Sequence, residues 1–426
     1  MKDELLRLAA YAGCVASAFV LFIAGGATPV FDAVVRTQAA AVFFVTSITS
    51  AQIQETYRAS GSQTSASEAL PAKKVKILIV PGHEPDTGGT EYQGVVERDV
   101  VVDIADALAT LLAQNPHYEV MVARTKIAWN PLLQNYFDTH MLEIETFEQS
   151  QKAQMTGYLA DGSILSDSDQ VYHNAISTPG ALKLYGINKW ASDAAYDITL
   201  HLHINDYAGR RLSVLKAYNG FAMYVPDHQY SNAEASRTIG EALAGRLSAY
   251  HATSTLPKED AGIVEDQQLI AIGSNNSAND ASLLIEYGYI QEPQFQIASV
   301  RPLAIADYAY QTYLGLQDFF KDPIKGTRGS VSFPYDWTKL TGAQNEKGPG
   351  IYALQAALHH LGFYPPREKN FNDCPISGRA GSCTRSAIMQ YQRSQSLEAT
   401  GQLGPQTRSA LTRDLEELST ESVRLK

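Results

Sequence analysis

The sequence predicts a layered α/β domain with a mostly parallel sheet flanked by helices. A small all-α three-helix domain follows it, and an N-terminal apolar helix precedes it. Three observations carry this prediction. From Val75 to Phe320, strand-like apolar runs alternate with helical periodicity, the pattern of βα units packed in layers. From Ile351 onward the periodicity is helical alone. Near the start, Leu8 to Phe31 is a stretch of 24 residues without a charge.

That first stretch is long enough to cross a bilayer core as a helix. Lys2 and Arg7 precede it, which favours a cytoplasmic N-terminus, although Asp3 and Glu4 dilute the bias. A cleaved signal peptide is the rival reading, with Ala24 to Ala27 as the cleavage region. Residues 1–35 are therefore expected to be a membrane anchor or signal segment, with the bulk of the chain outside the cytoplasm. Residues 36–74 are expected to be a linker. Ala39 to Ser50 is a short apolar patch within it, and the rest is rich in Ser, Ala, Thr and Gln.

Val75 to Val80 reads as a buried strand that breaks at Pro81-Gly82, and His83 follows. Val100, Ile104, Leu108 and Leu111 mark the face of the next helix. Tyr118 to Arg124 is a second strand. Residues 126–190 look less regular and read as an insertion, either a lid over the site or a decorative segment. Ala195 to Ile204 (AYDITLHLHI) is a third strand, Gly220 to Val225 a fourth and Ala281 to Glu286 a fifth. Helices are expected over Asn232 to Tyr250 and Ile305 to Phe320. The catalytic unit is thus placed at 75–321, with a second linker at 322–347. Three helices at 348–415 and a tail at 416–426 complete the chain.

Composition excludes some functions. The net charge of −11 lacks the basic surface of a nucleic-acid binder. Of the three cysteines, Cys374 and Cys383 match no CxxC metal or redox spacing. A disulfide between them suits an exported chain, and two reduced thiols are the alternative.

The chemistry-bearing residues fall at the ends of strands. His83 ends the first strand and Glu97 opens the following helix. In Ile198-Thr-Leu-His-Leu-His203, alternation puts Thr199, His201 and His203 on one face. Glu286 closes the apolar run Leu283-Leu-Ile285, where a carboxylate is costly unless used or paired. Singly, these residues read as a turn histidine, a helix-start charge, a hydrogen-bonded core histidine and a structural ion pair. Together, at corresponding ends of three strands and one helix, they point to a site. Two histidines and a carboxylate form a zinc ligand set that leaves a position for water.

The ordered motifs Val80-Pro-Gly-His83, Glu97-Arg-Asp99, His201-Leu-His203-Ile-Asn205 and Glu286-Tyr-Gly-Tyr289 resemble the zinc-dependent N-acetylmuramoyl-L-alanine amidases of the amidase-3 type. The resemblance covers roughly residues 75 to 320. It implies Zn2+ held by His83, Glu97 and His203, with Glu286 as the catalytic carboxylate. His201 and Asn205 would be outer neighbours of the ligands, and His201 a competing ligand in an alternative arrangement. The substrate implied is the amide between the lactyl group of N-acetylmuramic acid and L-alanine. Val80 stands where the family has Asp, His201 where it has Ser, and Glu292 where it has Asn. Residues 348–415 resemble the type 1 peptidoglycan-binding domain. The matching pieces are Leu354-Gln355, Leu361 to Tyr364, Thr384, Tyr391-Gln392 and Gly401 to Thr407. The partners implied are peptidoglycan and, through the apolar helix, a membrane. Rival expectations are an inactive amidase-fold wall-binding or regulatory protein, and a zinc peptidase on the same scaffold.

Overall fold

The computed structural model describes residues 48–61, 73–167, 170–171, 173, 176–207, 218–273, 277, 279–322, 330–331 and 337–424. The apolar stretch Leu8 to Phe31 lies outside them. Among the described residues no helix is long and apolar enough to cross a membrane.

The first element is α1 (Ser50–Gly61), inside the stretch expected to be a linker. Ile53 and Tyr57, one helical turn apart, are both buried. Tyr57 stacks on His117 and on Phe320, each at 4.4 Å, and its hydroxyl donates to Asp322 at 2.5 Å. The helix is thereby part of the globular body, because two buried side chains outweigh a polar local composition.

In order there follow β1 (Val75–Pro81), the ribbon β2 (Glu91–Tyr92) and β3 (Val95–Val96), α2 (Glu97–Leu112) and β4 (Tyr118–Val122). Next come α3 (Pro131–Asp161), α4 (Thr178–Asp193), β5 (Ile198–Asn205), β6 (Ala222–Pro226), α5 (Ala233–Leu247), β7 (Ile263–Asp266) and β8 (Ala281–Tyr289). A short α6 (Pro293–Gln296) and α7 (Arg301–Phe320) close this part. The sheet order is β4-β1-β5-β8-β6-β7. The first four strands are parallel, whereas β6 runs antiparallel to β8 and carries β7 with it. The sequence reading missed β7, since Ile-Val-Glu-Asp is short and half polar.

The two sheet faces have different covers. Ile77, Ile79, Leu200, Leu202, Leu283 and Ile285 face α2, α5 and α7 in the main core. On the other face Leu78, Val80 and Ala123 pack with Leu133, Tyr136, Phe137, Ile144 and Tyr185 of α3 and α4. Across the segment 126–190, α3 and α4 thus supply a helical layer on this face of the sheet. Helix α3 runs 31 residues with a kink at His140. Asn130 caps it by accepting from Leu132 N, and Gly162 ends it at φ 76°. Its buried residues all fall between Leu133 and Ile144. The polar second half carries no helical stripe, which is why periodicity failed to reveal the helix.

Buried polar groups mark where this layer is imperfect. Asp280 is 1% exposed and one carboxylate oxygen has no hydrogen-bond partner. Burial, reinforced by the charge of Asp197, pushes its carboxyl up from 3.8 to about 7. A folded-state value above the unfolded one means the stabilising proton is held fully below about pH 4 and lost by about pH 7. Asp280→Asn is therefore expected to raise stability at pH 8 by about 1–4 kcal/mol and to change it little at pH 4. Thermal unfolding of both proteins across that range checks this, and a parallel pH dependence would refute it.

After a 3-10 turn (Trp337–Lys339), the chain ends in α8 (Pro349–His360), α9 (Ser382–Ser394) and α10 (Pro405–Arg424). Ile351, Leu354, Leu358, Ala387, Ile388, Tyr391 and Leu411 fill their common core. Two buried amides tie the loops: Gln355 accepts from Ser377 N and Gly378 N, and Gln392 accepts from Gly401 N. Cys374 and Cys383 form a disulfide with Cα atoms 5.8 Å apart. The module is docked, not loosely tethered. Tyr352 donates to Asp307 of α7 at 3.4 Å, and the rings of Tyr250 and His359 meet at 5.2 Å.

Candidate metal centre

Three elements deliver three donors to one point. The turn after β1 puts His83 at φ 68°, a left-handed conformation that His tolerates better than most residues. Gly88 and Gly89, both at positive φ, pack against its ring. Glu97 is the first residue of α2 and is 3% exposed. Its two oxygens accept from Thr90 N at 2.8 Å and Ile204 N at 3.1 Å, so the carboxylate cannot swing away. His203, near the end of β5, places Nδ1 3.1 Å from Glu97 Oε1. His83 Nε2 lies 2.9 Å from the same oxygen, yet is not aligned for a hydrogen bond and has no such partner. The donor atoms of all three residues lie within 4.8 Å of one another.

The protonation states suit a cation. Burial alone would raise Glu97, but the charge of His83, with the hydrogen bond and charge of His203, outweighs it and holds the carboxyl below its ordinary range. Burial pushes His203 down, against the pull of Glu97. An ionised carboxylate beside a neutral imidazole is the state a metal ligand set requires. The donor chemistry, the partnerless nitrogen of His83 and the convergence of the three fit zinc.

Glu286 sits beside this group. It is paired in register with His203 across β5 and β8, and one of its oxygens has no hydrogen-bond partner. Burial raises its carboxyl well above the ordinary value, with the charges of Glu97 and Glu259 adding to the effect. A carboxyl poised to hold a proton next to a metal site is suited to proton transfer.

His201 and Asn205, expected as outer neighbours, lie two residues to either side of His203 on β5. His201 is 1% exposed, its Nε2 has no partner, and it does not join the donor group. Burial, then the charge of His203, pushes it down to about 3, so it stays neutral in the interior. It faces Val80 and Leu284 across the sheet, two residues before the His203–Glu286 pair. Asn205 donates to Glu259 at 3.1 Å. Val80, standing in the usual position of an acid, is 2% exposed within the apolar layer under α3 and α4.

Two supporting residues escaped the sequence reading. Arg124, 1% exposed, donates to the carbonyl oxygens of Pro81, Gly82 and Arg98. It braces the His83 turn against the start of α2. An arginine closing an apolar strand was the available signal. Glu259, 1% exposed, accepts from Tyr224, Ser254, Tyr289 and Asn205, and so ties together β5, β6 and β8. Nothing in Lys-Glu-Asp at 258–260 announces this.

Gly82 makes a close approach. A Cβ there would lie well inside contact distance of the near atoms of the His203 ring, so Gly82→Ala must displace that imidazole. Zinc affinity in this variant is expected to fall at least about tenfold, as loss of an outer support does. Metal titration measures it, with Gly245→Ala, where a Cβ meets nothing within 4 Å, as control.

The fold and the site together define a class: a three-layer α/β domain with a His–Glu–His donor group and a protonatable carboxylate at the ends of its strands. The chain belongs to the N-acetylmuramoyl-L-alanine amidase family, whose model matches residues 77–316. It is accordingly an enzyme, a peptidoglycan amidase of the cell envelope. Residues 347–411 match a peptidoglycan binding domain. No curated protein matches the sequence. Similar solved structures include the N-acetylmuramyl-L-alanine amidase Ami1 from Mycobacterium smegmatis, at 12% identity and a TM-score of 0.39, over 58% of this chain and 98% of that one. An N-acetylmuramoyl-L-alanine amidase from Clostridium difficile 630 matches at 16% identity and a TM-score of 0.37, over 59% and 99%. The catalytic domain of CwlV from Bacillus (Paenibacillus) polymyxa var. colistinus matches at 14% and 0.33, over 58% and 99%.

Proposed function

We propose that the protein hydrolyses the amide between the lactyl group of N-acetylmuramic acid and L-alanine, with zinc held by His83, Glu97 and His203. The observation that carries this reading is the convergence of those three donors within 4.8 Å, beside Glu286 on the neighbouring strand. Bound zinc would polarise the scissile carbonyl and acidify water in the open position. Glu286 takes the proton from the attacking water and passes it to the leaving amine nitrogen. Arg124 keeps the His83 turn in place, and the backbone N–H groups of Thr90 and Ile204 keep Glu97 aimed.

The matched wall-binding module supports retention of the enzyme on its polymer, where tethering raises the local substrate concentration. The uncharged stretch Leu8 to Phe31 supports an envelope anchor, with the catalytic unit outside the cytoplasm. Product analysis tests the reaction. Digestion of purified muropeptides should free the stem peptide with an L-alanine N-terminus and leave the lactyl carboxylate on the sugar. Cleavage within the peptide would reassign the protein as a zinc peptidase. No cleavage, with zinc bound or absent, would favour a wall-binding role without catalysis.

A further inference from the structure

We propose that Tyr207, Tyr218 and Tyr289 form a saccharide-binding platform beside the metal centre, a subsite for a pyranose ring of the glycan strand. The inference rests on the function proposed above and extends it to how the substrate is held.

The platform is a built feature. The rings of Tyr207 and Tyr218 meet edge to face at 5.1 Å. Both lie against Tyr289, at 6.1 and 6.2 Å. Tyr289 is fully buried and forms the floor, whereas Tyr207 and Tyr218 remain partly exposed. The floor is pinned from beneath: Tyr289 donates to Glu259 at 2.9 Å, and its hydroxyl also meets Ser254 at 3.0 Å. Gln291 holds the backbone of Tyr218 through a hydrogen bond to its carbonyl at 2.8 Å. Rings immobilised in this way lose little further freedom when a ligand binds.

Its place follows from the strands. Tyr289 lies three residues beyond Glu286 on β8, and Tyr207 four residues beyond His203 past the end of β5. At about 3.3 Å per residue these are separations of at most about 10 and 13 Å, one or two sugar-ring widths from the reacting amide. Asn205 and Tyr289 face each other in register, so the platform continues the ligand-bearing strands and is not a separate patch.

The chemistry selects the sugar half of the substrate. A pyranose offers a face of C–H bonds with partial positive character, which packs on the negative face of an aromatic ring. Beneath the rings the buried Glu259 is already fully engaged, accepting from Tyr289, Tyr224, Ser254 and Asn205.

The test uses the full chain and two soluble substrates, a disaccharide-peptide and the matching lactyl-peptide without sugar. Tyr218→Ala should raise KM for the disaccharide-peptide about tenfold, with the loss in KM rather than kcat. The same variant should leave KM for the lactyl-peptide within about twofold. Tyr218→Phe, which keeps the aromatic face, should restore the wild-type KM, and equal zinc content shows that the variants fold. An equal rise for both substrates, or none for either, would overturn the platform. If the wild-type enzyme cleaves neither substrate, the proposed reaction fails and binding of the peptide-free disaccharide decides the subsite. A tenfold loss in Tyr218→Ala sustains it, and unchanged binding ends it. The C-terminal module is common to every variant and cancels from the comparison.

Discussion

Glu286→Gln is expected to lower the release of stem peptides by about 10²–10⁴-fold, the range that a positioned general acid–base supplies, while zinc stays bound at the wild-type level. The amide keeps the shape of the side chain but cannot accept the proton of the attacking water. The proposed ligands His83, Glu97 and His203 are untouched, so metal content separates a chemical defect from a structural one. Stability should move the other way. Burial and the charges of Glu97 and Glu259 make the ionised form of Glu286 unfavourable in the folded state. A neutral glutamine removes that burden, and the metal-free variant should unfold at the same temperature or higher. Peptide release assayed on purified sacculi, with metal analysis of the same sample, checks both parts. Turnover that persists at the wild-type rate would remove Glu286 from the mechanism.

His203→Ala and His83→Ala are each expected to lose zinc and, with it, activity. Either change takes one donor from a set of three, and the affinity loss should exceed the roughly 10–100-fold that follows loss of an outer support. The two variants should differ in stability. His203 is seated against Gly82 and contacts Glu97 at 3.1 Å, so its removal leaves a cavity beside a buried carboxylate. His83 is held on an exposed turn with 28% of its side chain accessible, and its loss should cost less. Chelation of the wild-type protein should reproduce the loss of activity, and added zinc should reverse it. Full activity in chelated protein would exclude a metal role for the three donors.

Much of the site could be read in advance because its residues end elements. His83 follows a strand broken by Pro-Gly, Glu97 begins a helix, and His203 and Glu286 lie at the ends of apolar runs. Alternation along β5 also placed His201 and His203 on one face. It could not tell that His201, one pair of residues earlier, would be sealed between Val80 and Leu284. That outcome depends on strand register, which is a property of the sheet. The helix α3 was illegible for a different reason. Its buried residues occupy only the stretch from Leu133 to Ile144, so the polar remainder hides the period.

By itself, the sequence determined the alternation of strands and helices, the three-helix module, and the four polar residues that the fold gathers at the ends of its strands. Those are local properties, carried by periodicity and by breaks at Pro and Gly. Only the tertiary structure decided how the pieces support one another. It turned an apparent insertion into a packed layer, and it sent Arg124 under the His83 turn. It also buried Glu259 among Tyr224, Ser254, Tyr289 and Asn205, and set an aromatic platform beside the donors. These depend on which strands become neighbours and in which register. A buried charge can be placed only where the fold supplies all its hydrogen-bond partners at once, and those partners are scattered along the chain.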